Sequence, residues 1–174
     1  MNKFFVGVFL CIPTILGSAA VLADDLALRS TLEGRYAAMK TAMAARNGEA
    51  LSLLLAVDFV SEDVSGQTEN ASQMIQEVKS LPQDPQKVSQ TTLLSVKLNG
   101  STAVVDQRCD MKTTKTGADG NKRNIELITI STDTWVNLNG SWVIRRTVTN
   151  QMAYFVNGQP VAHKVHAGYS KISY

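Results

Sequence analysis

The chain has 174 residues, with 17 Lys and Arg against 15 Asp and Glu, a formal net charge of +2. A balance this close to neutral excludes binding to nucleic acid or to an anionic membrane surface by charge alone. The length is that of one domain with room for a sizeable core.

The N-terminus reads as a targeting segment. Lys3 gives a short positive region, Phe4 to Leu16 is apolar and interrupted by Pro13, and Val21 and Ala23 stand at the −3 and −1 positions of a cleavage site before Asp24 and Asp25. This is the pattern of a cleaved secretory signal peptide over 1–23, so the chain is expected to be exported, to the periplasm or outside the cell. The apolar run is shorter than the ~20 residues of a membrane span, so no stable insertion is expected after cleavage. Leu10 before Cys11 is not the small residue that a lipoprotein site requires. Removing Cys11 leaves Cys109 alone, so no intramolecular disulfide can form, and Cys109 is expected to be a structural thiol.

The expected domain covers 24–153, followed by a C-terminal extension over 154–174. Residues 24–47 read as one long amphipathic helix, because Leu28, Leu32, Tyr36, Met39 and Met43 form a single apolar stripe. Asn47-Gly48 is its expected stop. A second helix is expected over Glu49 to Ala56, with Leu51, Leu54 and Leu55 buried. Asp58 to Gly66 then reads as a short strand running into a turn, with Phe59, Ser61 and Asp63 on one face. Asn70 as N-cap and Gln73 in the capping-box position open a third helix, and Pro82 ends it.

From Gln86 onward the apolar period changes from 3.6 to 2. Val88 to Leu98 and Thr102 to Thr114 flank an Asn99-Gly100 turn. The strand after Gly117–Gly120 leads to a second such turn at Asn139-Gly140, the strongest short-range hairpin signal. A further short hairpin is expected around Asn157-Gly158, and the last dozen residues read as a frayed tail. Three helices with a meander of long strands give an α+β fold, whose strongly twisted strands can curl around the helices.

Two carboxylates stand out. Asp133 lies two residues from Trp135 on one face of its strand, and Asp63 lies at the end of the short strand. Asp63 is open to two readings, a cap for the turn to Gly66 or a pocket base. Asp133 is open to pairing with Arg108, Arg145 or Arg146, or to a low-dielectric pocket that raises its pKa. Asp106, Arg108 and Asp110 alternate with Val105, Gln107, Cys109 and Met111, so one face of that strand is charged. That face is expected to be a solvated charge ladder, unless Arg108 grips an anionic ligand. Trp142 reads as an anchor of the core or of a dimer interface. His163 and His166 have no acidic or cysteine partners in sequence, so no metal is expected.

The Tyr36 helix, Leu53-Leu-Leu-Ala-Val-Asp-Phe59, Ser61-Glu-Asp-Val-Ser-Gly66, the third helix and the Asp133-Thr-Trp…Asn-Gly-Ser-Trp142 hairpin come in a recognisable order. Together they resemble the nuclear transport factor 2-like superfamily, nearest in style to its SnoaL-like and ketosteroid-isomerase-like bacterial members. The resemblance implies a cone-shaped fold, with three N-terminal helices packed on a strongly curved, mainly antiparallel sheet. It also implies a pocket and frequent homodimers through the sheet face. Such a pocket would use Tyr36, Met39, Phe59, Trp135 and Arg108 toward a small apolar ligand, with no cofactor. By likeness to ketosteroid isomerases, Asp63 matches the general base and Asp133 the hydrogen-bond-donating acid. Met39 falls where their helix-borne Tyr would stand, and Tyr36 lies almost one turn earlier. The leading expectation is an exported binding or interaction module without established activity. The alternative is an isomerase or lyase using Asp63 and Asp133.

Overall fold

A computed structural model describes residues 17–169, with side chains from 25 onward. The order is α1 (Gly17–Ala44), α2 (Gly48–Ser52), β1 (Leu55–Glu62), β2 (Thr68–Asn70), α3 (Ala71–Ser80), β3 (Val88–Asn99), β4 (Thr102–Thr116), β5 (Lys122–Leu138), β6 (Ser141–Val156) and β7 (Gln159–Val165). The first part of the expected signal peptide, residues 1–16, lies outside the described residues. Among the described residues no helix is long and apolar enough to cross a membrane.

The apolar stripe of α1 faces the sheet. Leu28, Leu32 and Tyr36 are buried with Leu55, Phe59, Leu93, Ala103, Val105, Trp135 and Ile144, and Met39 packs against this cluster. Each fully buried apolar side chain of this kind contributes about 1.5–3 kcal/mol. A second cluster of Ala42, Leu51, Leu54 and Val78 ties the three helices together.

The end of α1 differs from the expectation. Arg46, with φ 57°, is the left-handed residue, and its guanidinium binds the carbonyls of Met43, Leu81 and Pro82. Asn47 instead caps α2, accepting the Ala50 N–H at 3.0 Å. Gly48 is required for closeness, since a Cβ there would stand 2.7 Å from Ile75 Cγ2. The second helix is also shorter than expected, because it ends at Ser52, Leu53 and Leu54 form a turn, and Leu55 and Ala56 belong to β1. The capping box of α3 forms as expected, with Asn70 and Gln73 bonded reciprocally.

The sheet order is β2-β1-β6-β5-β4-β3, antiparallel except for the parallel β1–β6 pair. The three helices do not all precede the sheet, because the β1–β2 hairpin separates α2 from α3. Helices packed on a curved, mostly antiparallel sheet make this an α+β fold. β6 is shared along one edge: its first half pairs with β1 and its second half with β7. The turn at Asn139-Gly140 has both residues at positive φ, as a two-residue type I′ turn demands. At Asn99-Gly100 the turn sits one residue later. Asn99 pairs with Thr102, and only Gly100 has positive φ. The last dozen residues are not simply a tail, since His163 to Val165 pair with β6 and the His166 N–H reaches the Asn150 carbonyl.

The two sheet faces part the side chains of β4 and β5. Asp133, Val105 and Thr147 occupy one cross-strand row on the helix-covered face. Asp106, Arg108 and Asp110 occupy the other face, where partners surround them. Ser95 and Thr132 donate to Asp106, Asn150 donates to Thr132, and Arg108 donates twice to Asp110 at 2.7 and 2.8 Å.

Candidate functional site

Three of the expected pocket residues meet at one end of the helix-covered face. The Tyr36 hydroxyl donates to Asp133 Oδ2 at 2.5 Å and accepts from Trp135 Nε1 at 3.0 Å. The two rings stand edge to face, with centroids 5.1 Å apart. Tyr36 projects from α1 because it lies on the stripe with Leu32. Asp133 and Trp135 share a face because strand side chains alternate. Asp133 is 2% exposed and Trp135 fully buried.

Burial disfavours the charged carboxylate, and the negative Asp106 behind the sheet adds to this. The Tyr36 hydroxyl, with Thr147 and Gln107, pulls the other way. The balance leaves Asp133 pushed up to about 6. Burial and the adjacent carboxylate drive the Tyr36 phenol well above its ordinary range, so it serves as a donor that stays protonated. Asp133 Oδ1 and Gln107 Oε1 accept no hydrogen bond among the described residues. A buried carboxylate oxygen without a well-aligned donor adds to the cost of the charged form.

The structure does not bring Asp63 to this cluster. β1 ends at Glu62, and Asp63 turns outward to cap its own loop. Its Oδ1 accepts from the Ser65 N–H and hydroxyl at 2.7 Å and from the Gln67 N–H at 3.0 Å. These donors hold its carboxyl below the usual range, the Ser65 hydroxyl most of all, which is the opposite of what a general base needs. Arg108 is also elsewhere, on the opposite face of the sheet with its guanidinium on Asp110. Arg145 pairs with Asp58 and Arg146 with Glu62, so none of the three arginines serves Asp133 in the ion pairs formed. Phe59 is 2% exposed and packs in the same cluster as Tyr36 and Trp135, with Met39 at its margin. His166 Nε2 lies 2.9 Å from Glu62 Oε1, and His163 sits in β7.

The other end of the same face is open. A cavity of about 270 Å³ lies between the last turn of α1 and strands β3 to β5. Met43, Cys109, Met111 and Leu127 form its floor, and Lys40, Arg46, Asp84 and Lys87 stand around it. Cys109 is a free thiol there, pushed up in pKa by burial. Strand alternation places Cys109 and Met111 on the same face as Val105. The cavity itself has no signature in sequence, because it depends on α1 ending at Ala44 rather than running on over the strands.

Comparison with solved structures identifies the class of fold. The chain superposes on a putative scytalone dehydratase from Novosphingobium aromaticivorans with a TM-score of 0.64 at 12% identity, covering 86% of this chain and 99% of that one. It matches an NTF-2-like protein of unknown function from Silicibacter pomeroyi with a TM-score of 0.51 at 15% identity, over 75% and 97% of the two chains. It also matches the association domain of CaMKII from C. elegans, with a TM-score of 0.57 at 14% identity, over 72% and 97%. No protein-family model matches the sequence, and no curated protein matches it significantly. The chain has the nuclear transport factor 2-like fold. That fold hosts many unrelated functions, so the chemistry must be argued from the site.

Proposed function

We propose that this protein is an exported small-molecule-binding module of the nuclear transport factor 2-like type, and that its ligand occupies the cavity beneath the end of α1. The carrying observation is that cavity, about 270 Å³ with a floor of Met43, Cys109, Met111 and Leu127. A concave, largely apolar site with a few polar groups at its rim suits a small ligand with an apolar body.

An isomerase or lyase built on Asp63 and Asp133 has less support, because Asp63 is exposed and its Oδ1 accepts three hydrogen bonds from its own turn. Export is supported by the sequence of residues 1–23. Self-association through the outer sheet face is supported by the likeness to an association domain and by half-exposed apolar side chains there, Val104 and Leu138.

Native mass spectrometry of the protein from its own compartment tests this reading. A subunit carrying a discrete extra mass, lost in a Leu127→Trp variant, is the expected result. An empty wild-type protein that also binds no apolar probe would overturn it.

A further inference from the structure

The charges around the cavity do not balance. Lys40 donates to the Ser89 carbonyl at 2.6 Å, and Arg46 is held by three carbonyls. Neither makes an ion pair among the described residues, nor does Lys87. The one carboxylate at the rim, Asp84, is already matched, with Lys115 Nζ at 2.5 Å and the Thr113 hydroxyl at 2.9 Å. Three cations thus surround an apolar floor without a counter-charge of their own. Lys40 and Lys87 are exposed and line the rim of the cavity, and both charges act favourably on the Cys109 thiolate at its floor. Like charges gathered at the mouth of a concave, low-dielectric cavity focus their field into it and attract an anion more strongly than the same groups on a flat surface.

We propose that this cavity selects an amphipathic anion, a carboxylate head between Lys40 and Lys87 with an apolar body on Met43, Met111 and Leu127. The inference rests on the cavity being the ligand site. At about 270 Å³ the space holds roughly nine water-sized groups, which is the scale of a medium-chain or single-ring carboxylate. Arg46 is a fixed positive rim, since its carbonyl partners hold it in place.

The test uses octanoate, 1-octanol and octylammonium, which share one tail and differ in head charge. Binding is read by calorimetry. Occupancy is read by protection of Cys109 from N-ethylmaleimide, assigned by peptide mass spectrometry. Octanoate is expected to bind at least tenfold tighter than the other two and to protect Cys109. Lys87→Met, which gives up no hydrogen bond among the described residues, should weaken octanoate several-fold. Lys40→Met with Lys87→Met should reduce it to the level of octanol.

Equal protection by octanoate and octanol would keep the cavity as the binding site and overturn its selectivity for anions. Tight octanoate binding that leaves Cys109 unprotected would overturn the proposal by placing the anion elsewhere. Failure of all three probes to protect Cys109 would remove the cavity reading and this inference together.

Discussion

The two ends of one sheet face, built from the same strands by the same alternation, are finished in opposite ways. At the Trp135 end, α1 lays Leu32 and Tyr36 over Val105, Asp133 and Trp135, and a hydrogen-bonded chain of tyrosine, carboxylate and indole seals the layer. At the Leu127 end, α1 stops at Ala44, and Met43, Cys109 and Met111 surround a space that no side chain fills. The difference lies in what the helix and β5 together bring to each end. Large aromatic groups close one end, and the termination of the helix opens the other. A polar group is therefore costly at the first end and available to a ligand at the second.

The sharpest way to break this comparison is to empty the sealed end. Trp135→Ala removes a fully buried indole that also donates to Tyr36. It should cost about 3–5 kcal/mol in urea unfolding. A loss under about 1 kcal/mol would mean that this end is not the structural half of the face.

The second test reads the carboxylate. Asp133 is raised in the folded state, to about 6 from an ordinary 3.8. The folded protein therefore keeps a proton over that interval which the unfolded chain has lost. Stability falls as pH rises through the window from about 4 to about 6, and the penalty is complete above it. Asp133→Asn removes this titration. Relative to the variant, the parent should lose on the order of 2–3 kcal/mol between pH 3.5 and pH 7. Parallel stability profiles would show that Asp133 is not held in a low-dielectric site.

Filling the open end should do far less to stability. Leu127→Trp puts bulk into space that already exists, so its unfolding free energy should shift by no more than about 1 kcal/mol, while ligand retention is lost. Asp63→Asn should have the smallest effect. It alters an exposed turn and should leave ligand binding unchanged, as measured by the same calorimetry. A loss of binding in that variant would return Asp63 to the site.

Much of the sealed end was legible because it rests on periodicity. Tyr36 follows from the helical stripe, and the pairing of Asp133 with Trp135 on one face follows from strand alternation. Asp63 lies one step past the end of its strand, where alternation no longer governs and the local donors of Ser65 and Gln67 take over. The capping reading of Asp63 weighs correctly the residues that follow it. Arg108 belongs with Asp106 and Asp110 by the same alternation, which put it on the charged face and not in the pocket. Sequence placed the body of the first helix but not its start at Gly17 or its last turn, where the Arg46 left-handed cap and the Asn47 N-cap compete for one short segment. The long-range join of β1 and β7 along one edge of β6 has no local signal at all.

The most direct test of the two-ended face compares two thiols on one strand. Cys109 lies at the open end, and Val105→Cys, in a Cys109→Ser background, would place a thiol at the sealed end, four residues away on the same face. Alkylation by N-ethylmaleimide is followed under native conditions by peptide mass spectrometry. Cys109 should react orders of magnitude faster than the thiol at position 105, whose modification should wait for global unfolding. Equal native rates at the two positions would contradict the account.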